Sequence, residues 1–480
     1  MARMLLDPDA CYRALAAHDP RFDGHFFVGV RSTRVYCRPV CTVRMPRREN
    51  CRFYPSAPAA ERDGFRPCLR CRPELAPGLA AIDASARVVQ SAVTLIDDGF
   101  LEDRSLEALA GRIGVTSRHL RRVFEAELGV SPVEYAQTQR LLLAKRLLTD
   151  TSMPVTDVAF ASGFSSVRRL NALFSERYRM APSRLRSTGG ERRDSLRFTL
   201  GYRPPYAWEA TLAFFARRAI EGVEFCDRLR LRRALALTHR GQRHSGWIEV
   251  TQLRSRHALC VTLSRSLSRV VPQALARVRH AFDLTCDPAE IAAALGPLAA
   301  SLPGVRVPAG FDGFEVAVRA IAGQQVSVRM MVLLLGRIAA RYGTPLDDAP
   351  KGLHVTFPEA SALATANVDD VAALGMPKSR ARTIVALARA VADGLDLSPN
   401  ADVPTTLASL QRIPGIGPWT AQYVALRGLG WPDAFLPGDL GVKRALGLSS
   451  ESEVLEHAER WRPWRAYAVI QLWNGNGETR

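Results

Sequence analysis

The sequence has no apolar stretch of about 18 residues, which is the length that a membrane-spanning helix requires. Its first twenty residues carry Arg3, Asp7, Asp9, Arg13 and Asp19, where a signal peptide would have an apolar core. Cysteine is scarce as well, because 9 cysteines in 480 residues are too few for a disulfide scaffold. We therefore expect a cytoplasmic protein that has no membrane partner and whose cysteines stay reduced.

Acidic residues are too few to balance the basic ones. The chain has 65 lysines and arginines against 47 aspartates and glutamates, which leaves a net charge of +18. Lysine is rare, so almost the whole excess is arginine. A genome that favours arginine codons explains arginine in place of lysine but not the excess of bases over acids, which points to a polyanionic partner such as DNA. The hydrophobic fraction of 47% supports packed cores and excludes disorder throughout.

Changes in composition indicate how the chain is divided. A length of 480 residues predicts about three folding units, and two to four are compatible with it. Proline, glycine or polar residues cluster near residues 73–78, 187–194 and 302–310. The first segment is short and rich in arginine, the second has the periodicity of short amphipathic helices, the third mixes strand-like and helical runs, and the last is helical. We predict a multidomain fold, mainly α with α+β parts, in four segments: 1–80, 85–190, 195–305 and 306–480.

Four of the cysteines form two close pairs. Three residues separate Cys37 from Cys41, two separate Cys68 from Cys71, and 26 lie between the pairs. Four thiolates that converge from two turns make a tetrahedral zinc site, which can fold a small domain by itself. Buried cysteines that act as small apolar side chains are the alternative, but paired spacing in an arginine-rich stretch fits it poorly. The spacing favours one Zn²⁺ ion held by these four cysteines.

The same segment resembles the amino-terminal domain of the Ada family of adaptive-response regulators. The resemblance runs through CYRAL, DGHFFVGVRSTRVYCRPVC and GFRPCLRC, and it covers residues 8–74. In that family the first zinc cysteine accepts a methyl group from DNA methylphosphotriesters. The resemblance assigns that role to Cys37, with the other three cysteines as the remaining ligands. Arg44 also matches the family pattern and is a candidate phosphate contact, although a solvated surface arginine is the ordinary explanation.

The charges in such a site fit this chemistry. A zinc-bound thiolate stays deprotonated near neutral pH and is therefore nucleophilic. An ordinary phosphodiester is an anion and repels the thiolate, whereas the alkylated triester is neutral. Four thiolates around Zn²⁺ sum to a charge of minus two, so methylation of Cys37 removes one negative charge that faces DNA and should tighten DNA binding. The sequence has no Pro-Cys-His-Arg stretch, so we do not expect the guanine O6-alkyltransferase half of Ada.

One design occurs twice in residues 85–190, as SLEALAGRIGVTSRHLRRVF and PVTDVAFASGFSSVRRLNALF. Each copy has a short helix, a turn glycine (Gly114 or Gly163) and a capped second helix. Such helix-turn-helix units place the second helix in the major groove, and a helical bundle with a solvated basic face is the alternative. The stretch resembles the AraC-type DNA-binding domain, including VAFASGF and YRMAPSRLR, which implies promoter DNA as a partner and RNA polymerase as a further candidate. The candidate DNA contacts are Arg118, His119, Arg121, Arg122, Ser166, Arg168 and Arg169.

A hairpin in the last segment carries the most information. In LASLQRIPGIGPWTAQYVALRGLGWPDAFLPGDLGVKRAL we predict a helix that ends at Arg412, a Pro-Gly-Ile-Gly hairpin with exposed backbone N–H groups, and a second helix. Gly415 and Gly417 would let the backbone approach a phosphate. With Asp439 behind a Pro-Gly pair, the stretch resembles the helix-hairpin-helix motif of base-excision DNA glycosylases. More narrowly, the chain is similar to the 3-methyladenine DNA glycosylase II (AlkA-like) family over residues 195–475, including FEVAVRAIAGQQVSV and ERWRPWRAYAVIQLW.

Asp439 is the catalytic residue that this resemblance implies. Purines alkylated at N3 or N7 carry a positive charge, so the base is already a good leaving group and the sugar cation is what needs stabilising. A carboxylate beside C1′ stabilises that cation electrostatically and can orient the attacking water. An aspartate after Pro-Gly is also a common helix N-cap, and the two roles are compatible. We predict that Asp439→Asn folds and binds DNA but does not release bases.

Aromatic side chains are expected around an extruded base, because a π face attracts a cationic purine by up to about 2 kcal/mol when desolvated. The family match assigns the base pocket to Trp419, Tyr423, Trp473 and Gln324, although any single aromatic is more often core packing. Trp419 stands where relatives that also cut the strand have a lysine, so base removal without Schiff-base chemistry is expected. The last segment has no cysteine, so no iron–sulfur cluster is expected. Relatives often have an apolar wedge where this chain has Gln325.

The resemblances together imply a nucleoid-associated fusion of a damage sensor, a transcription activator and a monofunctional glycosylase for alkylated purines. In this interpretation methylation of Cys37 places the helix-turn-helix pair on a promoter. A non-enzymatic regulator with a degenerate glycosylase-like half is the first alternative, and Asp439 with an intact hairpin argues against it. A repair enzyme whose first two segments only tether it to DNA is the second alternative.

Overall fold

The computed structural model describes residues 7–77, 84–151, 153–185, 195–399 and 401–475, apart from the side chains of 84–87. The break predicted at 187–194 lies outside these ranges. None of the helices described combines the length and the apolar character that a bilayer crossing needs. The fold is multidomain and mainly helical with small sheets, as predicted. The chain forms two compact units: one of Met1–Pro204, Leu253–Ala276 and Leu284–Cys286, and another of Pro205–Gln252, Arg277–Asp283 and Asp287–Arg480.

A small four-stranded sheet with two short helices begins the first unit. Its elements are α1 Pro8–Ala16, β1 Phe27–Val30, β2 Val35–Cys37, β3 Cys51–Tyr54, α2 Ala57–Arg62 and β4 Arg66–Pro67. The strand order is β3-β1-β2-β4, with β1 antiparallel to β2 and β3 and with β2 parallel to β4. Proline in the first turn of each helix and side-chain caps from Asp7 and Ser56 fix where α1 and α2 start.

In the described part of the next segment the first unit contains α3 Ala84–Asp97, α4 Leu106–Ile113, α5 Ser117–Leu128, α6 Pro132–Asp150, α7 Val155–Ala161 and α8 Val167–Tyr178. Both helix-turn-helix predictions are confirmed, as α4–α5 and α7–α8. Gly114 and Gly163 both have a φ of +80°, in the left-handed region that glycine adopts at no steric cost. The hydroxyl groups of Thr116 and Ser166 cap α5 and α8 at equivalent positions. One hydrophobic core joins the sheet to α3 through α6.

The segment predicted as α+β contains strands and helices that belong to both units. Its elements are β5 Ser195–Gly201, α9 Trp208–Ala216, β6 Glu224–Cys226, β7 Arg230–His239, β8 Gln242–Leu253, β9 Ala258–Ser264, α10 Val271–Ala281 and α11 Pro288–Leu295. In the first unit β5 pairs antiparallel with β9. In the second unit β6, β7 and β8 form consecutive antiparallel pairs.

Helices make up the rest of the second unit: α12 Gly313–Ala322, α13 Val328–Tyr342, α14 Ala360–Ala364, α15 Val368–Ala372, α16 Lys378–Ala392, α17 Val403–Gln411, α18 Pro418–Arg427, α19 Leu440–Leu446, α20 Glu451–Ala458 and α21 Arg465–Gly475. Helix α12 is buried all round and lies in one core with α13, α16 and α18. Its charged residues pair internally, since Arg319 contacts Glu315 at 2.7 Å and Glu224 at 2.6 Å, and Arg233 completes a buried network with both glutamates. This network fixes α12 against β6 and β7.

Candidate active site and metal centre

The predicted hairpin joins α17 to α18. Helix α17 ends at its C-cap Arg412, and α18 begins after the N-cap Gly417. Gly415 has a φ of +92°, and a Cβ there would lie 2.2 Å from Thr383 Oγ1, so both conformation and packing require glycine. Gly417 has a φ of −88° and open space where a Cβ would point. The turn therefore exposes its backbone at Gly417, where a partner could approach closely.

Asp439 is held by three N–H donors. The Val442 backbone N–H donates to Oδ1 over 3.0 Å, which makes Asp439 the N-cap of α19. The indole Nε1 of Trp473 donates to the same oxygen over 2.9 Å, and the indole Nε1 of Trp419 donates to Oδ2 over 3.2 Å. Both carboxylate oxygens thus accept hydrogen bonds that fix the orientation of the group. The cap role and the contact with the predicted aromatic residues occur together.

Aromatic rings form a continuous stack beside this carboxylate. Trp419 stacks on Tyr423 with centroids 5.2 Å apart, Tyr423 meets Trp473 at 6.5 Å, and Trp473 stacks on Phe214 at 6.4 Å. Trp419 is 37% exposed, whereas the other three are buried, so the stack leads from the surface inward. Sequence reasoning did not assign Phe214 to the site. The signal that could have found it is the Phe-Phe-Ala-Arg-Arg run that begins at Phe214 near the end of α9.

Two arginines lie behind the stack. Arg427 donates from Nη1 to the hydroxyl oxygen of Tyr423 over 2.8 Å, and its Cζ lies 4.6 Å from the ring centroid of Phe214. The Cζ of Arg218 lies 3.8 Å from the same ring centroid. Burial raises the pKa of Tyr423, but the positive charges of Arg427 and Arg218 outweigh burial and lower it overall. The inner end of the stack is therefore electropositive, and Asp439 carries the negative charge.

Gln324 is oriented toward the hairpin. Its side-chain amide donates to the Gly415 carbonyl over 2.9 Å and to Thr420 Oγ1 over 3.1 Å, and the backbone carbonyl of Gln324 accepts from Arg380. The side chain therefore braces the hairpin, and its assignment to the base pocket stays a prediction. The next residue, Gln325, is exposed and has a φ of +55°, so its side chain stands on a left-handed turn at the surface.

The four paired cysteines come together in the first unit, as predicted. Their sulfur atoms all lie within 4.8 Å of one another, and a tetrahedral zinc site needs sulfur atoms about 3.8 Å apart, so the group fits one Zn²⁺. Cys37 ends β2 and is buried, as are Cys41 and Cys68, whereas Cys71 is half-buried. The Arg38 backbone N–H donates to Cys71 Sγ over 3.4 Å, which orients that ligand.

The arginines predicted to contact DNA all lie on the surface. They are Arg44 in the cysteine-rich domain, Arg118, Arg121 and Arg122 on α5, and Arg168 and Arg169 on α8. His119 and Ser166 are half-buried, and the Ser166 hydroxyl accepts from the Arg169 backbone N–H as the cap of α8. The second helix of each helix-turn-helix unit thus presents a basic face outward.

Four family models match successive parts of the chain. They are the metal binding domain of Ada at residues 10–74, a helix-turn-helix domain at 109–188, the AlkA N-terminal domain at 197–312, and the HhH-GPD superfamily base excision DNA repair protein at 318–461. A Mycobacterium tuberculosis protein named probable bifunctional transcriptional activator/DNA repair enzyme AlkA is 39% identical over 485 residues, which cover 97% of this chain and 96% of its own. The chain belongs to this AlkA-type bifunctional family.

Further comparisons concern the glycosylase part of this AlkA-type chain. DNA-3-methyladenine glycosylase 2 of Escherichia coli is 40% identical over 281 residues, which cover 58% of this chain and 98% of its own. A solved structure of 3-methyladenine DNA-glycosylase from Archaeoglobus fulgidus, 22% identical, shares the fold with a TM-score of 0.50 over 58% of this chain and 98% of its own. The AlkA-type chain thus fuses a DNA glycosylase to a DNA-binding regulator that has one four-cysteine zinc site.

Proposed function

We propose that this AlkA-type protein removes alkylated purines of the 3-methyladenine kind from duplex DNA by hydrolysis of the N-glycosidic bond. The observation that carries this proposal is the Asp439 carboxylate, which two indole N–H groups hold beside an aromatic stack open to the surface. The name of the E. coli relative, DNA-3-methyladenine glycosylase 2, supports the same substrate class.

Each group of residues at this site has a separate role in base removal. Gly415 and Gly417 let the hairpin backbone dock on a phosphate, and the extruded base stacks against Trp419 and Tyr423. A purine alkylated at N3 or N7 leaves without protonation, so Asp439 stabilises the positive charge that develops on the sugar and orients water toward C1′. Because Trp419 stands at the position of the strand-cutting lysine, no Schiff base forms and an abasic site is the product.

We further propose that Cys37 accepts a methyl group from a DNA methylphosphotriester. The Cys37 sulfur forms a bond to the methyl carbon, the bond from that carbon to the phosphate oxygen breaks, and the restored phosphodiester anion is the leaving group. Zn²⁺ bound by the four cysteines keeps the sulfur in its thiolate form at neutral pH. Arg44 lies on the surface of the same domain and is proposed to contact an adjacent phosphate.

Methylation would convert the first unit into a transcription activator. It removes one negative charge from the cysteine cluster, and the basic faces of α5 and α8 then meet promoter DNA with less repulsion. RNA polymerase is proposed as the protein partner at that promoter. Footprinting of the gene's own promoter with methylated and unmethylated protein separates this function from simple tethering, because a tether protects no particular sequence.

One experiment tests the two chemical activities together. Duplex DNA treated with a methylating agent is incubated with wild type, Cys37→Ala and Asp439→Asn, and released bases and protein-bound methyl groups are measured separately. We expect Asp439→Asn to lose base release alone and Cys37→Ala to lose methyl uptake alone. Substantial base release by Asp439→Asn would refute the catalytic assignment, and methyl uptake by Cys37→Ala would refute the acceptor.

A further inference from the structure

A buried carboxyl group lies between the cysteine-rich sheet and the helix-turn-helix segment. Glu61, on α2, is 3% exposed. The phenol of Tyr36 donates to its Oε1 over 3.0 Å, the phenol of Tyr178 donates to the same oxygen over 3.3 Å, and the hydroxyl of Thr138 donates to Oε2 over 3.3 Å. These hydrogen bonds span 25, 117 and 77 residues of sequence. The carboxyl group therefore joins three distant parts of the first unit.

The three donors to Glu61 belong to elements with different roles in the first unit. Tyr36 lies in β2 and immediately precedes Cys37, the proposed methyl acceptor. Tyr178 is the last residue of α8, the second helix of the second helix-turn-helix unit. Thr138 lies on α6, the long helix between the two helix-turn-helix units. A displacement of β2 at Cys37 would therefore reach α8 through two hydrogen bonds, Tyr36 to Glu61 and Tyr178 to Glu61.

A second set of contacts fixes α6 to the same domain, near the last zinc ligand. Arg72 follows Cys71 in sequence and donates to Asp150, at the end of α6, over 2.7 Å. Lys145 of α6 is buried and donates to both oxygens of Glu74 over 2.8 and 2.9 Å. These ion pairs hold α6 against the segment that follows Cys71, so α6 is a support for this part of the domain. The hydrogen bond between Tyr178 and Glu61 can then report a change at β2.

We propose that Glu61 is a positioning residue that passes the methylation state of Cys37 to α8 through Tyr36 and Tyr178. The proposal rests on the methyl acceptance assigned above to Cys37. It explains how a change of one charge in the cysteine cluster alters the second DNA-reading helix as well as the local field. Thermodynamic linkage makes the coupling reciprocal, so DNA bound at α8 also changes the environment of Cys37.

The test follows amide hydrogen exchange of α8 in the full zinc-loaded chain, before and after reaction with methylphosphotriester DNA. Intact mass and peptide mapping record whether Cys37 carries the methyl group. In wild type we expect the exchange rates in Val167–Tyr178 to change by about fivefold or more on methylation. Fivefold is the lower end of the range that coupling between two sites typically produces. In Tyr36→Phe and Tyr178→Phe we expect normal methylation but no change in α8.

Two further variants separate positioning from general stability. Glu61→Gln keeps an oxygen for both phenols and an amide that can donate to the Thr138 hydroxyl, so it should retain the α8 response. Tyr54→Phe removes a phenol that bonds to Asp63 over 2.8 Å outside this group, and it should also respond normally. Two results would overturn the coupling alone. One is methylation at Cys37 without any α8 response in wild type, and the other is an α8 response in Tyr36→Phe and Tyr178→Phe as large as that of wild type. Absence of methyl from Cys37 in wild type would overturn the acceptor assignment, and the coupling with it.

Discussion

Trp473 donates its indole N–H to Oδ1 of Asp439 over 2.9 Å. The same ring meets Tyr423 and stacks on Phe214, so one side chain both lines the aromatic stack and orients the carboxylate. Ring and hydrogen bond can be separated experimentally, because phenylalanine keeps an aromatic face and lacks the N–H group.

Trp473→Phe should weaken catalysis more than it weakens binding. Loss of a hydrogen bond to a charged group costs about 1.5–3 kcal/mol, so we expect single-turnover base release to slow by about 10- to 100-fold while affinity for methylated DNA stays within a few-fold. Trp431→Phe is the matched control, because Trp431 lies outside the hydrogen bonds to Asp439. A Trp473→Phe enzyme that releases bases at the wild-type rate would show that this hydrogen bond is dispensable.

The two hairpin glycines should respond differently to alanine. Gly415→Ala adds a Cβ 2.2 Å from Thr383 Oγ1 at a φ of +92°, so it should lower the melting temperature as well as DNA binding. Gly417→Ala adds a methyl group in open space at a φ of −88°, so it should leave the melting temperature unchanged. If the backbone at Gly417 docks on a phosphate, its DNA affinity should still fall. Equal DNA affinities of Gly417→Ala and wild type would place that docking elsewhere.

Protonation of Glu61 should make the stability of the first unit depend on pH. Burial raises the pKa of Glu61 to about 7, against the lowering effect of the Tyr36 and Tyr178 hydroxyls and of Arg177. The folded protein then keeps a proton that the unfolded chain loses near pH 4.5, so the contribution of Glu61 to stability is fully present below that pH and is lost, by about 3 kcal/mol, as pH rises to about 7. Circular dichroism melts of wild type and Glu61→Gln at about pH 5 and about pH 8 measure this effect.

The melting-temperature difference between Glu61→Gln and wild type, compared at the two pH values, gives the direction of this effect. Glu61→Gln has no proton to lose, so its melting temperature should rise relative to wild type by several degrees from the lower to the higher pH. Glu134→Gln is a control, because the pKa of Glu134 is lowered rather than raised, owing to the Ser131 backbone N–H and hydroxyl despite partial burial. A constant difference between wild type and Glu61→Gln would mean that the carboxyl group is ionised in the folded protein throughout this range.

Removal of zinc should inactivate one activity and spare the other. The four cysteines lie in the first unit, whereas Asp439 and all seven tryptophans lie in the second. We expect a chelator to abolish methyl uptake and to raise hydrogen exchange in β1 through β4, while base release and the melt followed by tryptophan fluorescence stay unchanged. Chelator presaturated with zinc is the control. Loss of base release in step with the exchange of β1–β4 would contradict independent sites.

Local patterns in the sequence predicted much of this architecture. Paired cysteine spacing predicted the zinc cluster, and repeated turn glycines with capping hydroxyls predicted both helix-turn-helix units, because such signals act over a few residues. The helix end at Arg412 was predicted for the same reason. The four-domain boundaries and the roles of individual site residues stay predictions.

Buried polar groups were not found from the sequence. Glu61, Lys145 and Arg427 lie on helices whose charged residues are expected at the surface, and their partners are up to 119 residues away in the chain. The orientation of Gln324 toward the hairpin likewise depends on α12 packing against α18. Only the packed structure brings these groups together, so no local pattern could have located them.

Both helix-turn-helix units belong to one chain and follow each other along it, with α6 between them. Dimeric repressors read inverted half-sites because two identical subunits are related by a two-fold axis. Here the second helices of the two units, α5 and α8, differ in sequence, and the 19 residues of α6, about 28 Å long, lie between the units along the chain. A non-palindromic operator is therefore expected, and its polarity would dictate on which side of the bound protein transcription starts.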